Sequence, residues 1–281
     1  MTKKWLTAAG ICAIMGLLVF AAVMTVCGWD FRALSTVQYD TRMHEPQEHF
    51  SNISIQTDTA DVQVLPAEDG RCRVICEDGL PAYHTVTVEG DTLTIERVDP
   101  REWYEIWGIS LGTESVTVYL PAETYGKLEI RTSTADVEIG DIAAEVMDIH
   151  LSTGDIQLER VSVGTLELSV STGDILLDDI DCKTLLSTGS TGDMLLRQVL
   201  AEVLISVERS TGDVELDDCD AAQLVFRTTT GDVTGTLRTP KIFRTETSTG
   251  DVSVAVPQSG TDEICEVKTS TGDIGIGLIK P

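Results

Sequence analysis

The fold is decided by a repeat that is clearest in STGDIQLERVSVGTLELSVSTGDILL (residues 152–177), where Ser-Thr-Gly-Asp recurs after 19 residues. Thr-Gly-Asp is found throughout the C-terminal half, and Thr134-Ala135-Asp136 and Thr59-Ala60-Asp61 are variants of it. From residue 136 onward the motif aspartates are separated by 19, 19, 19, 20, 19, 19 and 22 residues; they are Asp136, Asp155, Asp174, Asp193, Asp213, Asp232, Asp251 and Asp273. So regular a period indicates an array of structural repeats.

Hydrophobic and polar residues alternate within each period. The first and third residues after a repeat aspartate are aliphatic, as in Ile156 and Leu158, and a second alternating run follows, as in Leu166 and Leu168. Alternation with a period of two is typical of half-buried strands, and one coil cannot bury its apolar face alone. The sequence therefore predicts an all-β fold, a β-solenoid (β-helix) of stacked coils of about 19 residues. Seven intervals of about 4.8 Å give a rod of roughly 34 Å.

The Ser-Thr-Gly-Asp motif is expected to form the turn from one coil to the next. Glycine allows a positive φ there, and Asp and Thr side chains can bond the local backbone. Stacking turns the repeat aspartates into a ladder of carboxylates about 5 Å apart. Either each carboxylate accepts hydrogen bonds from its own turn and the adjacent threonine, or the ladder gathers cations. The first is favoured, because each turn offers one carboxylate and calcium requires six or more oxygens.

The regular repeats are predicted to occupy residues 131–281, after an irregular N-terminal β part of the solenoid at residues 51–130. In that part, residues 85–88 and 93–95 alternate around Glu89-Gly90-Asp91, which predicts a hairpin. Residues 28–50 carry charges, a proline and no periodicity, so they are predicted to be a linker.

An apolar segment precedes the linker. Residues 5–27 carry no charge and follow Lys3 and Lys4. As a helix they would extend about 35 Å, and a hydrocarbon core is about 30 Å thick. The sequence predicts a transmembrane signal-anchor at residues 5–27, with residues 1–4 as a cytoplasmic tip because of the lysine pair. A cleaved signal, or a lipoprotein signal with Cys27 as the lipidated residue, remains an alternative.

Charge and cysteine content limit the partners and the cross-links. The 46 acidic and 20 basic residues give a formal net charge of −26. Such a surface repels phosphate backbones, so nucleic acid is not expected as a partner and cationic partners are favoured. Cys72 and Cys76 lie four residues apart in a predicted strand, about 13 Å, which is too far for a disulfide. The cysteines of the solenoid are predicted to be small buried hydrophobes.

A known family shares these features. The repeats, together with TVTVEGDTLTI (residues 85–95) and VTVYLP (residues 116–121), resemble in order and spacing the bacterial domain-of-unknown-function family called "putative adhesin", with serial Ser-Thr-Gly-Asp coils. The resemblance covers roughly residues 50–279. It implies a β-helical fold and a cell-envelope setting associated with envelope stress, and it supplies no catalytic residues. With the predicted anchor, it implies a single-pass protein of the bacterial plasma membrane with an extracytoplasmic C-terminal domain.

Motifs for catalysis are absent from the sequence. The chain has no G-x-S-x-G, no Walker loop, no H-E-x-x-H and no C-x-x-C. Its aspartates recur at every turn, as structural residues do, and form no unique carboxylate pair of the glycosidase type. His44 and His49 lack a metal-ligand spacing. Neither an enzyme nor a cofactor or metal site is therefore expected.

One loop concentrates aromatic residues. Trp103, Tyr104 and Trp107 would form a partner-binding platform or cover the open N-terminal end of the solenoid, and the end cover is favoured. The predicted function is a non-catalytic interaction or sensing module of the envelope, adhesin-like. Its expected partners are the membrane, through the N-terminal helix, and an unknown envelope protein, cationic peptide or polymer; end-to-end self-association is a further expectation. The alternatives are a passive stalk or spacer and, more remotely, a carbohydrate-active enzyme.

Overall fold

The computed structural model describes residues 2–26, 29, 38–101, 113–255 and 262–279. In these residues one helix precedes 19 strands that belong to a single wound sheet. The elements are α1 (Thr2–Val26), β1 (Tyr39–His44), β2 (Asn52–Gln56), β3 (Asp61–Pro66), β4 (Arg73–Gly79), β5 (Tyr83–Glu89), β6 (Thr92–Val98), β7 (Ser115–Leu120), β8 (Thr124–Thr134), β9 (Val137–Gly140), β10 (Ala143–Thr153), β11 (Ile156–Thr172), β12 (Ile175–Thr191), β13 (Met194–Thr211), β14 (Val214–Thr230), β15 (Val233–Leu237), β16 (Ile242–Glu246), β17 (Val252–Val254), β18 (Ile264–Lys268) and β19 (Ile274–Leu278).

The central coils are long strands that continue around a corner. The first half of β11 pairs in parallel with β9, its second half pairs with β10, and both halves pair with β12 on the opposite side. The register offset is 19 residues, so that Ile156 pairs with Ile175. The one 20-residue interval is absorbed by a register shift in β13, where Val203 is left 53% exposed. The predicted β-solenoid of about 19-residue coils is confirmed.

The interior consists of the aliphatic columns that the alternation predicted. Ile156 and Leu158 are 1% and 0% exposed, and Val161 is 1% exposed. Their stacked counterparts in neighbouring coils, such as Ile175 and Leu177, are equally buried. Complete burial of a Val, Leu or Ile side chain stabilises the fold by about 1.5–3 kcal/mol, so each coil contributes several such increments.

A second corner, five residues after the repeat aspartates from Asp136 to Asp213, had no recognisable signal in the sequence. Its residues adopt φ values of 50–59° without being glycine; they are Asp141, Arg160, Asp179, Gln198 and Asp218. Aspartate tolerates this left-handed conformation better than most residues. Arg160 also pairs with Asp141 of the neighbouring corner through a 2.7 Å hydrogen bond, which links consecutive coils.

Both ends of the solenoid depart from sequential stacking. At the N-terminal end β2 lies between β6 and β8, and β3 lies between β7 and β9. At the C-terminal end β18 lies between β14 and β16, and β19 lies between β15 and β17. The coil of β2 and β3 and the coil of β18 and β19 are thus each inserted one place from the end of the parallel stack, so the coils at the two ends do not stack in chain order.

A buried lysine holds the inserted coil at the C-terminal end. The Lys241 side chain is fully buried, and its Nζ lies 2.5 Å from Asp220 Oδ1 and in closer contact with Glu263. Asp220 belongs to β14, whereas Lys241 and Glu263 directly precede β16 and β18. Hydrogen bonding to Lys241 lowers the pKa of Glu263. The cluster therefore ties three stacked layers together, because removal of one partner would leave uncompensated buried charge.

The irregular N-terminal part contains the expected hairpin and one unexpected strand. β5 and β6 pair antiparallel around Gly90, whose φ is 64°, as predicted. Within the predicted linker, however, β1 pairs antiparallel with β4, and Met43 lies opposite Ile75. The solenoid region thus starts before residue 50, because the exposed edge of β4 recruits a strand that shows no periodicity of its own.

The N-terminal segment is helical from Thr2 to Val26. Among the described residues, no helix is both long and apolar enough to cross a membrane, so the predicted transmembrane helix has no support from the structure. Several of its apolar side chains are exposed, among them Ile14 (61%) and Leu17 (67%).

Candidate functional site

The turn between coils requires glycine for two reasons. In the Thr-Gly-Asp turns φ lies between 130° and 150°, a region that side chains rarely allow. A Cβ atom on Gly173 would also lie 1.9 Å from the backbone oxygen of Gly154 in the preceding coil. Glycine therefore allows the coils to approach each other, in addition to allowing the turn that the sequence indicated.

The repeat aspartates form the predicted ladder, with a different hydrogen-bond donor. From Asp61 to Asp273, Oδ1 of a repeat carboxylate accepts the backbone N–H of the aspartate in the next coil of the stack, as between Asp155 and Asp174 (2.7 Å). The distances along the ladder are 2.7–3.0 Å from Asp61 to Asp251. The bond thus joins coils, whereas donors within the same turn had been expected. A charge-assisted bond to an amide offsets part of the repulsion between stacked carboxylates.

Calcium is expected to leave the stability of the solenoid unchanged. Within the described residues no group of three or more His, Cys, Asp or Glu side chains could hold a metal ion. Thermal unfolding of the full chain should give the same midpoint with millimolar calcium, with chelator, and with sodium chloride of equal ionic strength. A calcium-binding ladder would instead raise Tm by several degrees, since a ligand at 100 times its Kd adds about 2.7 kcal/mol.

A polar groove runs along one flank of the solenoid, next to the turn ladder. One wall, the flank column, lies five residues before each repeat aspartate: Gln56, Arg131, His150, Ser169, Thr188, Glu208, Arg227, Lys268 and Glu246. The other wall, the serine column, lies three residues before it: Asp58, Ser133, Ser152, Ser171, Ser190, Ser210, Thr229, Ser270 and Ser248. All residues of the serine column are exposed.

Two hollows make the groove concave. The N-terminal hollow, of about 580 Å³, extends from Gln56 to Ser171, and the C-terminal hollow, of about 390 Å³, extends from Thr188 to Ser270. Ser169 at the end of the first hollow pairs in register with Thr188 of the second. The two hollows are therefore sections of one groove.

The cations whose side chains project into the groove are already paired with carboxylates. In the N-terminal hollow, Arg97 contacts Glu114 (3.1 Å) and Asp58 (3.3 Å). In the C-terminal hollow, Arg227 bridges Glu208 and Glu266, which raise the pKa of its guanidinium. These pairs leave a hydroxyl-rich surface of mixed charge without a strongly basic patch, which suits neutral polar or cationic ligands better than anions.

Arg209, on the floor between the two columns, is directed inward. It is 4% exposed and occupies the space left by Gly189, where a Cβ atom would lie 2.2 Å from its Nη1. Among the described residues its guanidinium has no hydrogen-bond partner. Burial lowers its pKa, and the ladder carboxylates Asp174 and Asp193 act in the opposite direction. The guanidinium of Arg209 is therefore not accessible to a ligand in the groove.

A buried relay beneath the N-terminal hollow was not detectable in the sequence. Thr57 Oγ1 lies within hydrogen-bond distance of His84 Nε2 (3.0 Å), and His84 Nδ1 lies within hydrogen-bond distance of Asp78 Oδ1 (2.7 Å). This order of groups matches a nucleophile, a base and an orienting acid. However, Thr57 is 6% exposed and bonds inward, so the relay presents no accessible nucleophile to the groove. It joins the regions of β2, β4 and β5, which local sequence patterns do not connect.

Of the remaining predicted residues, the structure describes the solenoid cysteines but not the aromatic loop. Trp103, Tyr104 and Trp107 lie outside the described residues, so the partner-binding loop stays a prediction. The solenoid cysteines are free and buried as expected; they are Cys72, Cys76, Cys182, Cys219 and Cys265. Burial raises the pKa of the Cys72 thiol to about 11 and that of Cys182 to about 12. Such thiols are inert as nucleophiles at neutral pH.

These features define a β-solenoid with a hydrogen-bonded turn ladder and a polar flank groove. The chain belongs to the Toastrack DUF4097 family, whose pattern matches residues 50–280. The resemblance drawn from the sequence is thereby confirmed at the level of a family of unknown function. That serial Ser-Thr-Gly-Asp coils characterise this family stays a prediction.

Two solved structures match most of this chain. A "putative lipid binding protein" from Parabacteroides distasonis is 16% identical, with 88% of this chain and 98% of that chain covered, at a TM-score of 0.56. A "putative adhesin" from Bacteroides fragilis is 13% identical, with 86% and 97% covered, at a TM-score of 0.45. At these identities the similarity concerns the fold alone. The comparison with curated proteins finds no match.

Proposed function

We propose that this protein is a non-catalytic interaction module of the bacterial cell envelope that binds an extended polar ligand along the flank groove. The supporting observation is the continuity of the groove, whose exposed hydroxyls repeat once per coil. A site of repeated, equivalent donors and acceptors suits a polymer or an extended peptide. A net charge of −26 and the carboxylates Asp58 and Glu208 on the groove walls favour a ligand that carries positive charge.

The same proposal locates the module on the outer face of the plasma membrane, held by its N-terminal segment. The support is the uncharged run at residues 5–27 behind Lys3 and Lys4, together with the exposed apolar side chains of α1. Protease added to intact cells should remove the solenoid and leave a small membrane-bound fragment. Protection of the entire chain would contradict this location.

The ligand proposal is tested with the full chain in detergent, by co-sedimentation with insoluble cell-wall polymer and by binding to an oligolysine peptide. Ser152→Arg places a bulky side chain in the serine column and should weaken binding by about tenfold or more, equivalent to 1.4 kcal/mol. Gln157→Arg adds the same charge at an exposed position of the same coil outside the groove and should change affinity by less than about twofold. Equal losses in both variants would show that the groove is not the site.

A passive spacer is the second candidate, because solenoid coils support one another without a ligand. It predicts that neither probe binds and that Ser152→Arg leaves cell-envelope phenotypes unchanged, whereas deletion of one whole coil changes them.

A further inference from the structure

As far as the structure describes the chain, the C-terminal end of the solenoid is open. In the described part of the chain, β16 pairs only with β18, and β17 pairs only with β19. At the other end, antiparallel strands cover the terminal coil, because β5 pairs with β6 and β4 pairs with β7. An unpaired edge is a template for another strand.

The core is incompletely covered at this open end. Phe243 and Val254 pack against the core but remain partly exposed. Cys265 and Ile276, which stack next to them in the adjacent coil, are 0% and 1% exposed. One more layer of strand would complete their burial.

The free backbone groups of β16 belong to its odd-numbered residues. Ile242 N–H donates to Glu263 O (2.8 Å), and Glu246 O accepts Thr269 N–H (3.0 Å), so the even-numbered residues face β18. Because successive residues of a strand direct their N–H and C=O groups to opposite sides, Phe243 and Thr245 direct theirs to the open edge.

A second copy of β16 matches this edge in one antiparallel register. With Thr245 opposite Thr245 of the second copy, the free groups form mutual hydrogen bonds, and Arg244 lies opposite Glu246 of the second copy. By symmetry this ion pair forms twice, at a non-hydrogen-bonded position where side chains are closest. A shift of register by two residues in either direction would place Arg244 opposite Arg244 or Glu246 opposite Glu246, which is repulsive.

We propose that two copies of this chain associate tail to tail through β16, as a closed two-fold dimer centred on Thr245. The same surface is used by both copies, so the contact is self-complementary and does not propagate into a fibre. The contact lies at the last coil, where the flank column ends at Glu246, and no residue of β16 lines either hollow of the groove. A groove variant in a distant coil, such as Ser152→Arg, should therefore still dimerise.

The mass of the full chain in detergent, measured by light scattering over a dilution series, tests the proposal. Wild type should show twice the monomer mass. Thr245→Pro should be monomeric with an unchanged circular dichroism spectrum, because it removes an N–H that no described strand uses. Arg244→Glu should weaken the dimer by about tenfold or more, and Arg244→Glu combined with Glu246→Arg should restore it.

Three results would overturn the proposal. They are a wild-type chain that is monomeric throughout the series, oligomers that grow beyond the dimer, and a dimer whose strength is the same in Thr245→Pro and wild type.

Discussion

Gly212→Ala is expected to destabilise the solenoid by roughly 4 kcal/mol or more. The φ of Gly212 is 139°, where a residue with a side chain is strained by about 1–3 kcal/mol. In addition, the new methyl carbon would lie 2.0 Å from the backbone oxygen of Gly192 in the preceding coil. Because the obstacle is backbone, it cannot move aside, and two coils must separate. Urea unfolding followed by circular dichroism measures the change in the free energy of unfolding.

Gly90→Ala is the matched control for Gly212→Ala. Gly90 also has a positive φ, of 64°, but a Cβ atom there would meet nothing within 4 Å. Its replacement should cost only about 1–2 kcal/mol, from the left-handed conformation. If the two variants lose similar stability, close stacking of the coils is not what requires glycine in the turn.

Leu216→Asp is expected to have a comparable effect, about 4 kcal/mol or more. Leu216 is 1% exposed and lies between Leu196 and Gly235 of the neighbouring coils. A carboxylate at this position would be buried without a partner, and the packing of the leucine would also be lost. The midpoint of urea unfolding should fall accordingly.

Glu215→Ala, one residue earlier in the same strand, should change the free energy of unfolding by less than about 0.5 kcal/mol. Glu215 is exposed, because successive side chains point to opposite faces of β14. Equal sensitivity of Leu216 and Glu215 would contradict the alternation on which the core assignment rests.

The core could be predicted because it depends on local periodicity. Leu216 and Glu215 fall on opposite faces whatever their neighbours are, and the turn ladder follows from a motif that recurs every 19 residues. The order of the terminal coils could not be predicted in this way. The turns at Asp251 and Asp273 carry the same motif, so either could stack on the coil of Asp232.

The shape of the groove and the contacts of the buried relay could not be predicted from local sequence patterns either. The serines of the serine column are visible as part of the motif, but their concave arrangement depends on where each coil bends. Thr57, Asp78 and His84 meet only because β2 is inserted beside β6, so no spacing between them signals the contact.

The sequence by itself determined the solenoid, its coil length, its inward columns and its turn ladder, because each arises from interactions between a coil and an equivalent neighbour. Only the tertiary structure decided which coil lies at the end of the stack. It also decided that Lys241 pairs with carboxylates of the neighbouring layers, and that the ladder carboxylates accept hydrogen bonds from the adjacent coil. The physical reason is that identical repeats are interchangeable in sequence. Unique contacts such as that between Lys241 and Asp220 are made by residues that occur once and meet only after folding.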